Sequence, residues 1–173
     1  ELRARRTEFL GIFEPDCMAL GRWWARSTAR RSCRGGYGVL PVPAELPGAL
    51  DTLDAMLDGS RSAFETFLRI PLPAKRRNIE LDWKDYDNLG YLSGHSVGEA
   101  ESAMFDALVQ SHASLDIPLI VLSAEQLDAP QLGELFYFLE LTAALCAAAD
   151  GLNPFDRKRT SPTRAQAAAC LQG

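Results

Sequence analysis

"DIPLIVLSA", residues 116–124, carries no hydrogen-bonding side chain from Ile117 to Leu122. An aliphatic run of this length, closed by Ser123, reads as a strand covered on both faces, and strands of a parallel sheet are covered that way by helices. A helical segment over 130–149 follows it, with Pro130 at the start and Gly151 just past the end. Two other stretches read as strands: "GYGVLPVP", residues 36–43, and "AFETFLRIPL", residues 63–72. Between the strands lie helical patterns, "ELPGALDTLDAMLDG" with Gly59 placed to cap it, and Ser96 to His112. Strands alternating with helices of this length imply βαβ units. The expected fold is therefore α/β, a three-layer α/β/α sandwich with a mostly parallel sheet. At 173 residues there is material for one domain with a single sizeable core.

Residues 2–28 have good helix formers with Phe9, Phe13, Leu20, Trp23 and Trp24 at helical spacing, and Pro15 should divide them into two helices meeting at "FEPD". That helical pattern is under way by Leu2, behind an opening Glu1, which suggests a piece of a longer protein. The segment "PAKRRNIELDWKDYDNLGYLSG" reads as a surface excursion with one helical turn between Tyr86 and Leu92. "DRKRTSPTRAQAAACLQG" offers no apolar face until its end.

Charge narrows the function. A formal net charge of -5 argues against general nucleic-acid affinity. Yet Arg22, Arg26, Arg30, Arg31 and Arg34 fall in a stretch with no acidic residue between Asp16 and Glu45. Clustered guanidiniums beside Trp23 and Trp24 could hold phosphate or RNA, but with no nucleic-acid motif the default is a solvated loop, and the tryptophans are read as packing. Cys17, Cys33, Cys146 and Cys170 have no metal-ligand spacing, which fits a reducing cytoplasm and no metal. "LGELFYFLELTAALCAAAD" is interrupted by Glu134 and Glu140 and reads as a buried core helix, not a membrane span. His112, before the aliphatic strand, is read as a hydrogen-bonded helix-end residue, and His95 as a surface neighbour of a helix cap. Asp82, Asp85 and Asp87 are read as a solvated acidic loop.

Taken in order, "FEP" followed by "WW", "GVLP", "FETFLRIPLP", "NLGYLSG", "IPLIVLSAEQLDAPQLGELFYFLELTAAL" and "GLNPFD" resemble the C-terminal part of bacterial-type glucose-6-phosphate isomerase, over most of residues 7–156. The resemblance implies a sugar-isomerase-like fold, with 1–156 as the family domain and 157–173 as a divergent tail that can stay disordered. It also implies the interconversion of glucose 6-phosphate and fructose 6-phosphate in glycolysis and gluconeogenesis, by a cytoplasmic homodimer that needs no cofactor.

Such chemistry needs a carboxylate base, a ring-opening histidine or lysine, and cations or amides to steady an enediolate. Carried onto this chain, the base of the family's "G-E-S" string falls at Arg30, which cannot abstract a carbon-bound proton. The histidine of "D-L-H-S" falls at Asp51, or at Leu50 by counting back from "FET". The lysine region after "NPFD" places Arg164 at the matched position. All three are substituted, and the serine and threonine cluster that holds phosphate in the family lies upstream of this chain. The expectation is a family member without turnover, a degenerate paralogue or an incomplete fragment, whose arginine-rich blocks at 25–36 and 157–173 are drift or out-of-frame sequence. The alternative is a non-catalytic sugar-phosphate-binding or protein-interaction module; hexose 6-phosphate is the expected ligand, with no nucleic acid and no membrane.

Overall fold

Thr7, Phe9 and Ile12 favour extended backbone, and the segment that holds them forms the strand β1 (Thr7–Ile12). A computed structural model of the chain describes residues 6–31, 33, 38–58, 63–70, 78–80, 84–124, 127–156 and 161–172, with 56–58 described by backbone alone. The expected helix before Pro15 is overturned by β1. Its six residues pair in parallel with β2 (Leu40–Glu45) on one side and β3 (Ala63–Arg69) on the other. Two ladders of hydrogen bonds outweigh a local helical spacing, and Gly11 would have weakened a helix in any case. Pro15 opens a short 3-10 turn, Pro15–Cys17, which leads into α1 (Met18–Arg31). Arg22 to Arg31 are thus helical, in line with the helical pattern expected as far as residue 28, and the solvated loop expected of the arginine run is corrected as far as Arg31.

β4 (Leu119–Ser123) pairs in parallel with β3 and completes a sheet of order β2-β1-β3-β4. Pro41 and Pro43 fit β2 to an edge, since proline donates nothing to a ladder. α2 (Leu50–Asp58) and α3 (Val97–Ser114) connect the later strands, and the Gly59 expected to cap α2 lies outside the described residues. Ser96 caps α3 reciprocally with Glu99: each side chain bonds the other's backbone N–H. The expected helical turn is a 3-10 turn at Gly90–Leu92.

The strand period of two divides β1 between two cores. Leu10 and Ile12 join Leu20, Trp24, Leu68 and Leu139 on the face covered by α1 and α4 (Ala129–Ala149). Phe13, Leu46, Leu53, Phe67 and Phe105 fill the opposite face, under α2 and α3. The molecule is an α/β/α sandwich with a parallel sheet, as the sequence implies. Gly11 permits the close approach of Phe67: a Cβ there would stand 2.6 Å from its Cδ1.

One helix differs from expectation. α4 buries Leu139, Ala143 and Ala147 but leaves Tyr137 70%, Phe138 50% and Leu145 61% exposed. It is a one-sided helix, not a buried core helix. It is 21 residues long and holds an 18-residue stretch of mean hydropathy 1.5, which also meets the length and composition of a membrane span. Here Glu140 ties it to α1 instead, through the Arg31 guanidinium and a 2.6 Å bond from the Ser27 hydroxyl. α5 (Pro162–Gln172) is helical within the tail and exposes every residue.

Candidate functional site

Parallel strands place chain reversals at fixed ends of the sheet. α1 begins at the carboxyl end of β1 and returns to the amino end of β2, where the Leu40 N–H donates to the Arg6 carbonyl at 2.8 Å. The last turns of α1 therefore lie at the amino edge. α4, which follows β4, ends there too. Its end is closed by Gly151 at φ 73°, with Leu152 N–H donating to Ala147 O and Gly151 N–H to Ala148 O. The "NPFD" turn follows, held by Phe155 N–H donating to Asn153 Oδ1 at 3.0 Å.

Between these pieces lies a cleft of about 820 Å³. α1 lines it with Arg26, Arg30 and Arg31, the turn with Phe155 and Asp156, and the start of α5 with Ser161 and Arg164. Arg22, Arg26 and Arg30 follow one another at i, i+4 and i+8, and all three are exposed. Arg31 is committed to α4, donating to the Glu140 carbonyl at 3.2 Å as well as to its carboxylate. Ser161 caps α5, its hydroxyl accepting the Arg164 N–H at 3.4 Å.

Of the three matched positions, the structure brings Arg30 and Arg164 together on this cleft and leaves Asp51 elsewhere. β2 ends at the carboxyl edge, where Leu46 N–H bonds Ile12 O at 2.9 Å, and α2 starts just beyond with Asp51 exposed in its first turn. Six residues of strand separate the two edges, on the order of 20 Å.

A second crevice, of about 380 Å³, opens at the carboxyl edge between β1 and β3, lined by Glu14, Arg69, Ser96, Ser102 and Phe105 among others. The strand order changes direction there, the usual place for ligands in open α/β sheets. Its cation is already occupied: Arg69 donates to Asp106 and to Ser102 at 3.1 Å each and stacks 4.4 Å from the Phe105 ring centroid. Glu14 accepts the Ile70 N–H through one oxygen, while the other is buried without a partner among the described residues. Burial raises its carboxyl above the usual range.

Two further buried carboxylates have no place in the sequence reading. Glu65 in β3 meets His112 Nδ1 at 2.7 Å, both fully buried, while His112 Nε2 faces Asp54 at 3.5 Å. His112 is the hydrogen-bonded helix-end histidine the sequence suggests. Burial raises Glu65, and its bond to His112 opposes the shift. Glu8 accepts from Trp24 Nε1 at 3.2 Å and from the Thr66 hydroxyl at 2.7 Å. A glutamate inside "AFETFLRI" is the available signal for Glu65, because a carboxylate in an apolar strand needs a partner.

The remaining expectations concern the surface. His95 is exposed, 4.0 Å from Glu99. Asp85 and Asp87 accept backbone N–H groups within their own loop, and Asp82 lies outside the described residues. Cys17 is buried while Cys146 and Cys170 are exposed. Among the described residues no three His, Cys, Asp or Glu side chains are grouped to hold a metal.

Fold and cleft together define a parallel three-layer α/β domain with an arginine-lined cleft at the amino edge of its sheet. By sequence the chain is similar to part of the glucose-6-phosphate isomerases. The glucose-6-phosphate isomerase of Listeria monocytogenes serotype 4b is 28% identical over 170 residues, covering 98% of this chain and 38% of that protein. That of Streptococcus thermophilus is 30% identical over 152 residues, 87% of this chain and 34% of the relative. That of Enterococcus faecalis is 27% identical over 156 residues, 90% of this chain and 35% of the relative. No family model matches. The chain thus spans little more than a third of the length of the curated relatives it matches. Among solved structures, a hypothetical protein from Thermus thermophilus superposes with a TM-score of 0.86 at 16% identity, over 99% of this chain and 43% of that one, a likeness of fold.

Proposed function

We propose that this chain is a glucose-6-phosphate isomerase domain that keeps the sugar-isomerase-like scaffold and has lost the isomerase chemistry. The observation that carries the reading is the shared cleft of Arg30 and Arg164. Two positions matched by motif to the family's base and lysine are neighbours, as one active site requires, yet the base position holds a guanidinium. A group that stays protonated cannot take the proton between C1 and C2. Asp51, at the ring-opening position, stands at the opposite edge of the sheet and cannot replace it in this cleft.

On this reading the parent activity is the cytoplasmic, cofactor-free, homodimeric isomerisation of glucose 6-phosphate and fructose 6-phosphate, and the tail from 157 is the most divergent part. A coupled assay for fructose 6-phosphate to glucose 6-phosphate conversion tests it, with the full chain beside an Arg30→Glu variant. No turnover is expected from either, because the variant restores one group of three. Turnover by the unaltered chain would overturn the reading and its assignment of Arg30.

The charge of the cleft also favours the second reading, a non-catalytic module that binds sugar phosphate. A saturable rise in thermal stability with hexose 6-phosphate supports that module.

A further inference from the structure

We infer that the crevice at the carboxyl edge, between the ends of β1 and β3, is a site for a small primary amine whose ammonium group bonds Glu14. This is independent of the lost isomerase chemistry, which concerns the arginine-lined cleft at the other edge of the sheet. Glu14 lines the crevice, is only 8% exposed, and uses one oxygen for the Ile70 N–H at 3.3 Å. Its other oxygen is buried with no hydrogen-bond partner among the described residues. A buried acceptor in that state destabilises the fold until something donates to it. The described lining sets three carboxylates, of Glu14, Glu99 and Glu101, against the single guanidinium of Arg69. Arg69 is already matched by Asp106 at 3.1 Å. Glu99 is committed to the cap of α3, where it takes the Ser96 N–H and hydroxyl at 2.7 and 2.9 Å and offsets the positive end of the helix. Glu14 and Glu101 remain for a ligand, so the crevice selects a cation.

The acceptors discriminate among cations. A guanidinium fork bonds both oxygens of a carboxylate, and Glu14 has one to offer; an ammonium is a compact donor that needs only one. Its remaining N–H groups find the Glu101 carboxylate and the Ser102 hydroxyl in the same lining. Phe13 and Phe105, edge to face at 5.5 Å, give apolar surface for a short alkyl chain, and a volume of about 380 Å³ suits a small molecule. A divalent metal takes several oxygen ligands, and among the described residues no three His, Cys, Asp or Glu side chains are grouped to supply them. Protonation adds a second signature. Burial raises the Glu14 carboxyl; backbone N–H groups, Ile70's among them, lower it, Glu101 raises it and Arg69 lowers it. The neighbouring Cys17 thiol is itself raised by burial and stays neutral. An ammonium favours the charged form of Glu14, so binding expels a proton and tightens as pH rises through the raised value.

The test is calorimetric titration of the full chain with butylammonium chloride, from mildly acidic to neutral pH and in buffers of differing ionisation enthalpy, with tetramethylammonium and magnesium chlorides for comparison. Saturable butylammonium binding with proton release is expected, tightening as pH rises, and the other two cations should bind roughly tenfold more weakly or not at all. Glu14→Gln keeps an acceptor for the Ile70 N–H and removes the charge. It should weaken butylammonium binding roughly tenfold or more and abolish the proton release. Glu134→Gln, on the exposed side of α4, should change neither. Circular dichroism checks that each variant folds; if Glu14→Gln does not, Glu101→Gln takes its place, with a several-fold loss expected and an unchanged affinity counting against the site. Absent binding, equal effects of Glu14→Gln and Glu134→Gln, binding without proton release, or magnesium or tetramethylammonium binding as tightly would overturn the inference.

Discussion

At Glu8 two hydrogen bonds and an apolar enclosure act in opposite directions. Desolvation raises its carboxyl above the ordinary value of 4.5, while the bonds from Thr66 and Trp24 pull it down and lose. A group whose folded-state pKa is raised binds its proton more tightly in the folded protein. Its stabilising effect is complete below the unfolded value and is lost as pH rises through the raised one. Replacing Glu8 with Gln should remove that loss, since an amide can accept from Trp24 and donate to the Thr66 oxygen. The stability of E8Q relative to the unaltered chain, from urea unfolding across the mildly acidic to neutral range, should therefore climb as pH rises above 4.5. A flat difference would show that Glu8 titrates normally. Residues differ in how far their sequence announces them. The resemblance matches Arg30, Asp51 and Arg164 to one site, and of these the cleft holds Arg30 and Arg164. Glu8 is unreadable, because a glutamate one residue before Phe9 in an apparent helix looks solvated, and Trp24 and Thr66 come from elements far along the chain.

Among the elements, β4, α3 and α4 are legible because each carries its own pattern, an aliphatic run or a capped helical segment. β1 is not. Six residues are too few to declare a period, and what makes them a strand is pairing with β2 and β3. Gly11 is the local clue, and it supports a sharp expectation. Gly11→Ala would set a Cβ 2.6 Å from Phe67 Cδ1 and 2.8 Å from Leu46 Cδ1, and both side chains are buried. Phe67 is also braced edge-on by Phe105, at a centroid distance of 6.2 Å. Overpacking of this kind costs about 1–3 kcal/mol, which a lowered urea midpoint would register. An unchanged midpoint would mean that the Phe67 and Phe105 pair shifts freely. α4 is legible as a helix but not in its orientation, because a helix apolar on all sides does not declare which face it buries.

For the whole molecule the two sheet edges are unequal. β2 is blunted by Pro41 and Pro43, whereas β4 presents Ile120 and Val121 partly exposed, at the end of the sheet. Tyr137, Phe138, Leu141 and Leu145 are exposed on α4 as well, and exposed apolar side chains clustered on one helix favour association. Sedimentation velocity over a range of concentrations should show the chain associating, and Leu145→Lys should reduce it without altering the fold; a monomer at every concentration would refute this. The central place of β1 has a consequence of another kind. Both strands that flank it come later in the chain, so β1 leaves a ribosome before either partner has been made. At about 5–20 residues per second, roughly 3–11 s pass between the end of β1 and the end of β3. During that interval Phe9, Leu10 and Ile12 have at most β2 to pair with, and the sheet stays incomplete on the β3 side. Nascent chains of this protein should therefore be clients of chaperones that hold early apolar segments, and codon choice between β1 and β3 becomes a determinant of yield.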